Sequence, residues 1–311
     1  LESTTTKEKS KITEALDRLK AGGSTAGGAG IELAYKLAQE NFVKGGNNRV
    51  ILATDGDFKV GESAKGDLET LIEKKKKTGI FLTCLGYGMG NYKDNKMETL
   101  ADKGNGNYAY IDNLQEANKF LGKEFAGNIY TIAKDVKIQI EFNPKYVQSY
   151  RLIGYENRKL RNEDFTDDKI DAGELGSGHT VTALYEVIPA DSGSEFLPKA
   201  NKLKYSKTSI AQKYGEELAT IKFRYKKPTG LKSAEISQIV KNSFSNANVS
   251  SDFKFASSVA WFGLVLRDSK LIKKKNLIDI QNLAKQNKGK DEEGYRTEFI
   301  NLVEKYKASK K

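Results

Sequence analysis

A single cysteine, Cys84, and a single histidine, His179, occur in the 311 residues. Within one chain this excludes a disulfide, a Cys/His zinc cluster and a His-rich metal centre. It also excludes a Cys–His nucleophilic pair unless those two residues meet. No apolar run approaches the roughly 20 residues that cross a bilayer; the densest, 253–266, is broken by Lys254, Ser257 and Ser258. Arginine is scarce among the cations, and the lysines gather at helix ends such as 74–77 and 273–275. No helix-turn-helix or stacking-aromatic motif accompanies the net charge of +11, so nucleic acid is not expected as a partner. The chain opens at Leu1 rather than methionine, and no charged-then-apolar signal segment comes after it. It reads as a piece of a longer protein.

The residues present suffice for packed cores. Apolar residues make up 38% and aromatic residues 10%, which excludes wholesale disorder. The chain falls into three parts, and the fold class expected is α/β plus β.

Residues 1–132 alternate helix and strand. Ile12, Ala15, Leu16 and Leu19 keep helical spacing, as do Ile31, Ala34, Tyr35 and Ala38. The run Val50, Ile51, Leu52, Ala53 reads as a strand covered on both faces. A second buried strand is expected over 80–85 and a third over 108–111, with helices over 68–77 and 97–103 and a long amphipathic one over 114–132. Strands joined by helical crossovers predict a parallel, Rossmann-like sheet with helices on both faces. Residues 133–229 change period from 3.6 to 2. Val136, Ile138, Ile140 and Phe142 alternate with polar residues, as do Val181, Ala183, Tyr185 and Val187, and Ala219, Ile221, Phe223 and Tyr225. A β-sandwich-like domain is expected, with loops over 162–178 and 191–209. Residues 230–311 return to helix, with faces at Phe255, Val259, Phe262 and Leu266, at Leu277, Ile280, Leu283 and Ala284, and at Phe299, Leu302, Val303 and Tyr306.

Two pieces of the first part converge on one rim. The glycine-rich loop Gly22-Gly23-Ser24-Thr25-Ala26-Gly27-Gly28-Ala29-Gly30 leads into a helix, and Thr54-Asp55-Gly56 ends the first strand. Ligands of open parallel sheets bind outside the carboxyl ends of the strands. The Thr25 hydroxyl and the Asp55 carboxylate are hard oxygen donors of the kind Mg²⁺ or Mn²⁺ accepts.

This order of segments resembles the von Willebrand factor type A domain. Its metal-ion-dependent adhesion site combines an Asp-x-Ser-x-Ser segment, a later loop threonine and a later strand-end aspartate. Gly23-Ser24-Thr25 is similar to the threonine loop, and Ile51-Leu52-Ala53-Thr54-Asp55-Gly56 to the strand that carries the second aspartate. Further on, Arg151-Leu152-Ile153-Gly154-Tyr155-Glu156-Asn157-Arg158, Asp171-Ala172-Gly173-Glu174 and Gly178-His179-Thr180-Val181-Thr182-Ala183-Leu184-Tyr185-Glu186 resemble bacterial YfbK-like proteins. In that family a von Willebrand A domain precedes a C-terminal domain of unknown function. No Asp-x-Ser-x-Ser lies upstream of Thr25. The resemblance therefore implies a partial sheet and a partial metal site, Thr25 with Asp55, that binds no divalent cation tightly by itself but does so in the full-length protein.

It implies further a non-catalytic, adhesion-type module that captures a partner protein's acidic side chain through the cation. It also implies export to the bacterial cell envelope, periplasmic or at the surface, with a lipid anchor. The missing strands, or a neighbouring chain, are expected at the bare edge of Val50 to Ala53. Two rival readings stand beside this one. One is a scaffold whose sandwich mediates assembly over a vestigial metal site; the other is an enzyme using the rim for phosphate or nucleotides.

Other features are read as structural. Gly104-Asn105-Gly106-Asn107-Tyr108-Ala109 has the letters of a dinucleotide-binding turn, but it runs from helix into strand, the reverse of the order phosphate binding needs. Gly86-Tyr87-Gly88-Met89-Gly90 has the wrong spacing. Cys84 reads as a buried thiol, His179 as a turn residue, and the acids from Glu163 to Glu174 as a solvated loop without EF-hand spacing.

Overall fold

The structure is a computed structural model and describes residues 1–20, 27–57, 65–170, 172–197, 214–243 and 249–310. The chain divides into two units. The first comprises Leu1–Lys137, Asp168–Thr180 and Arg224–Ala234; the second comprises Ile138–Asp167, Val181–Phe223 and Glu235–Lys311.

In the first unit α1 (Lys9–Asp17), α2 (Gly27–Glu40), β1 (Asn48–Thr54), α3 (Lys65–Lys77), β2 (Ile80–Gly86), α4 (Asp94–Lys103) and β3 (Tyr108–Tyr110) succeed one another in order. The strands pair in parallel as β1-β2-β3, with Val50 opposite Leu82 and Leu52 opposite Cys84. Successive strand residues point to opposite faces, and β2 sorts its side chains accordingly. Leu82 and Cys84 join Tyr35 of α2, Ile72 of α3, and Met97 and Leu100 of α4 in one core. Leu85 joins Ile111 and Phe120 in a second core. Helices thus flank the sheet on both faces, as the alternation of elements predicts.

β1 departs from expectation. Val50 is buried, but Ile51 is 47% exposed and Ala53 is exposed as well. The chain after β3 covers the second face of β2 and, among the described residues, reaches that face of β1 only at Arg49, leaving Ile51 and Ala53 exposed. β1 is also an edge strand of this sheet among the described residues. α1 buries none of its residues, and Leu16 and Leu19 on its apolar stripe are exposed.

The segment 114–132 is not one helix. It consists of α5 (Leu114–Asn118), a π-helical turn (Lys119–Lys123) and α6 (Phe125–Ile129). A π turn admits an extra residue and re-aims the chain beyond it. Here it brings the buried Asn128 inward, where Nδ2 donates to the Phe120 carbonyl (3.1 Å) and the carbonyl accepts from Asn107 Nδ2 (2.5 Å). Two polar links at one residue outweigh the smooth amphipathic stripe that the sequence shows. Arg49, at the N-terminal end of β1, donates to Thr83 Oγ1 (2.7 Å) and to the Ile129 carbonyl (3.2 Å). Burial brings its guanidinium down to about 10, with Glu174 opposing.

The β region holds β4 (Thr131–Phe142), β5 (Val147–Ile153), β6 (Gly173–Gly176), β7 (Leu184–Pro189), β8 (Glu217–Lys226) and β9 (Ser233–Lys241). One sheet has the order β6-β4-β8-β9 and a two-stranded sheet pairs β5 with β7. β4 and β6 are antiparallel, as are β5 and β7. In the second unit Phe142 of β4 meets Tyr150 of β5 and Tyr185 of β7, with ring centroids 4.7 and 5.8 Å apart. These contacts make the arrangement sandwich-like.

The loop expected over 162–178 contains β6, and three further expectations for this region need correction. The alternation along β4 fails at one step, for Lys137 is 4% exposed while Ile138 is 50% exposed, although Glu141 is exposed and Phe142 half-buried as expected. Register shifts lie between Thr131, Ala133 and Val136, and Asp135 takes a left-handed backbone (φ 51°). Such irregularities re-aim the side chains beside them. Second, the strand expected from Val181 begins only at Leu184. Third, residues 230–311 are not helical from their start, because 233–241 form β9.

α7 (Ser251–Leu266), α8 (Leu277–Gln286) and α9 (Tyr295–Ser309) close the chain. Ser250 caps α7 by accepting from Phe253 N, and Asn276 caps α8 by accepting from Ile278 N and Asp279 N. Phe262, Ile280 and Val303 form one packed cluster, and Phe255, Ala284 and Ile300 another. The buried face of α7 runs through Phe255, Ser258 and Phe262, whereas Val259 and Leu266, expected on it, are exposed. A helix apolar around its whole circumference does not reveal which stripe is inside.

Candidate metal-binding rim

Asp55 stands at the carboxyl end of β1, where the chain leaves the sheet. Two bonds fix that exit: Tyr87 N donates to the Thr54 carbonyl (3.0 Å), and Lys93 N donates to the Asp55 carbonyl (3.1 Å). The turn requires Gly56, whose φ is +77° and whose missing Cβ would lie 3.1 Å from Lys93 Cβ. One carboxylate oxygen of Asp55 closes the turn. Oδ1 accepts from Asp57 N (2.9 Å), while Thr54 Oγ1 lies 3.5 Å away and accepts from Gly56 N (3.2 Å). Oδ2 of Asp55 accepts no hydrogen bond from the described residues.

Neighbouring loops stiffen the rim. Asn91 Nδ2 donates to Asp57 Oδ2 (2.5 Å), and Lys96 Nζ donates to the Gly56 carbonyl (3.3 Å). Tyr110 Oη donates to the Gly88 carbonyl (2.6 Å). Tyr108 Oη donates to Asp94, so its contact with Tyr92 Oη (2.6 Å) has Tyr92 as donor. Burial, and then the bond to Asp94, push the Tyr108 phenol above its usual value. It stays protonated and serves as a fixed donor. Asp57, Asn91 and this tyrosine chain carry no sequence signal beyond the glycines of 86–90, whose spacing is wrong for a phosphate loop.

Of the two donors that the sequence suggests, Asp55 is on the rim, and Thr25 lies outside the described residues together with the rest of 21–26. Asp171 of the acidic stretch lies outside them too. Among the described residues no group of three or more Asp, Glu, His or Cys side chains is arranged to hold a metal ion. Mg²⁺ needs near-octahedral oxygen coordination, and Asp55 Oδ2 is one donor of such a shell, not the shell.

The other candidates fall out on geometry. Cys84 is fully buried, and burial pushes its thiol up to about 12, so it stays protonated. His179 is exposed on the turn after β6, where its N–H donates to the Gly176 carbonyl (3.1 Å). The dinucleotide-like glycines pack against β2. A Cβ on Gly106 would lie 1.7 Å from the Leu82 carbonyl oxygen, and one on Gly104 would lie 2.5 Å from Leu82 Cβ.

Residues 1–123 match the von Willebrand factor type A domain, and residues 127–308 match the family described as "Uncharacterized protein YfbK, C-terminal". The Escherichia coli (strain K12) protein named "Uncharacterized protein YfbK" is 43% identical over 298 residues, which are 95% of this chain and 51% of that protein. The chain thus spans about half the length of this curated relative. Among solved structures, a von Willebrand factor type A protein from Catenulispora acidiphila aligns over 96% of this chain and 67% of its own at 15% identity, TM-score 0.43. The BatB protein of Bacteroides thetaiotaomicron aligns over 38% of this chain and 68% of its own at 21% identity, TM-score 0.31. No helix among the described residues is long and apolar enough to cross a membrane. On these matches the chain belongs to the YfbK family, in which a von Willebrand factor type A domain is followed by the YfbK C-terminal domain.

Proposed function

We propose that the protein is a non-enzymatic, protein-binding module whose rim holds a divalent cation in the full-length protein. One observation carries the reading. Asp55 stands at the carboxyl end of a parallel strand with one oxygen committed to its own turn and the other without a described partner. In this reading Asp55 Oδ2 and the Thr25 hydroxyl contribute two donors, and residues beyond this chain complete the shell. The bound cation supplies the positive charge that joins Asp55 to an acidic side chain of the partner, since two carboxylates would otherwise repel. The domain match supports protein binding as the broad class. Residence in the cell envelope is part of the same reading.

The half-covered β1 supports a companion proposal. Ile51 and Ala53 on its second face, and the strand edge left unpaired among the described residues, take up structure supplied by the rest of the protein. Calorimetry with Mg²⁺ is expected to give no micromolar binding to these 311 residues alone and clear binding to the full-length protein. Asp55→Ala in the full-length protein should abolish Mg²⁺-dependent capture of the partner, while the loss of its turn-closing bond to Asp57 N lowers stability by about 1 kcal/mol at most. Unchanged capture by that variant would refute the cation-bridged reading.

A further inference from the structure

α7 packs one stripe on α8 and α9, and Trp261 borders that packed cluster as well. Another stripe, with Phe253, Ala260, Trp261 and Leu264, forms one wall of an open groove of about 500 Å³ inside the second unit. β5 and β7 contribute Ile153, Leu184 and Tyr185 to its lining, and Leu271 and Ile272 line it as well. A volume of this size holds one or two large side chains.

The charges at the groove have one sign to spare. Glu186 is matched by Arg151 (Nε–Oε2 2.5 Å), and Lys273 by Glu195 (2.7 Å). Lys274 also lines the groove, and its amine has no partner among the described residues. Its backbone is held in place, because the Trp261 indole N–H donates to the Lys274 carbonyl (2.8 Å). From residue 271 to the end the chain has ten lysines and one arginine against six acidic residues. A second copy of so basic a surface is disfavoured by repulsion, and an acidic partner is favoured.

We infer that this groove docks an acidic segment of a partner protein, with a bulky apolar anchor between α7 and the β5–β7 pair and a carboxylate on Lys274. The site is independent of the rim and of any metal. Trp261 is the sole tryptophan of the chain, so its emission reports occupancy directly.

The test uses the 311-residue protein and three short synthetic peptides. One is Asp/Glu-rich with a central Phe-Leu pair, one has the acids replaced by lysine, and one keeps the acids but has Ser-Ser in place of Phe-Leu. Only the first is expected to shift Trp261 emission saturably. Its affinity should fall about tenfold in Lys274→Glu, an exposed site where folding is not at stake. It should also weaken between about 50 and about 300 mM salt. Ser257→Phe, which fills the groove, should abolish binding read by the anisotropy of labelled peptide, with circular dichroism checking the fold. Equal binding of the lysine or Ser-Ser peptides, no saturable shift at millimolar peptide, or displacement by decanoate but not by excess acidic peptide would each overturn the proposal.

Discussion

Asp168 shows how single side chains hold the first unit together. Its carboxylate accepts from the Ser233 hydroxyl and from Arg224 Nη2 (3.0 Å), and its carbonyl accepts from Lys226 Nζ (2.7 Å). Lys226, 7% exposed, also pairs with Asp135 (2.7 Å). The left-handed Asp135 in β4 thus delivers a carboxylate to a buried ammonium, which would be costly if left alone. The Ser233 hydroxyl first, and then Arg224, hold the Asp168 carboxyl down at about 2, against 3.8 ordinarily. The unfolded chain therefore takes up the proton more readily than the folded one. Stability from this carboxylate is complete above about pH 4 and disappears as pH falls through about 2. Asp168→Asn should melt below the parent protein at neutral pH, and the gap should close towards pH 2 in melting curves followed by circular dichroism. A gap constant with pH would show that the carboxylate charge contributes nothing. Nothing in the sequence marked Asp168 apart from the five acids around it, because its partners lie 56 and 65 residues away.

At the scale of elements, composition and period were enough for most of the first unit. Val50 to Ala53 and 80–85 fall inside β1 and β2, and the helices before and between them stand where apolar spacing puts them. The glycines at 104 and 106 were legible as structural because their order was wrong for phosphate, but their purpose was not. They let the turn after α4 lie directly on the backbone of β2. Gly106→Ala forces a methyl into the Leu82 carbonyl and should cost about 3 kcal/mol in urea unfolding. Gly30→Ala in α2 meets nothing within 4 Å and should be neutral or stabilise by about 0.5–1 kcal/mol. Similar losses at both positions would remove close packing as the reason for Gly106. The failures have a common form. The π turn at 119–123, the reversed step at Lys137 and Ile138 in β4 and the rotated face of α7 each arise where a contact with a distant element overrides a local periodicity.

At the scale of the whole molecule, the open side of β1 links fold to function. If the rest of the protein supplies the missing neighbour, backbone amides of β1 should exchange faster than those of β2 in the 311-residue chain and slow markedly in the full-length protein, as measured by hydrogen exchange. Unchanged β1 exchange between the two would mean that the edge is not filled from within the same protein. Half of the candidate metal site was readable in advance, since a strand-end Asp-Gly in an alternating α/β pattern points to the rim. The groove beside Trp261 was not readable at all. Its walls come from α7, β5 and β7, and no periodicity relates residues about 70 to 110 positions apart to one another.

The sequence by itself determined the parallel sheet with its flanking helices, the strand-end position of Asp55, the burial of Cys84 and the change from helical to strand period near residue 133. These come from local spacing, because backbone geometry imposes the 3.6 and 2.0 periods on any chain that buries one face. Only the tertiary structure decided which oxygen of Asp55 closes its own turn, that Lys137 faces inward and Ile138 outward, and that α7 turns a second apolar stripe to a groove. Those outcomes depend on register and on partners distant in sequence, and a one-residue shift in pairing is enough to reverse them.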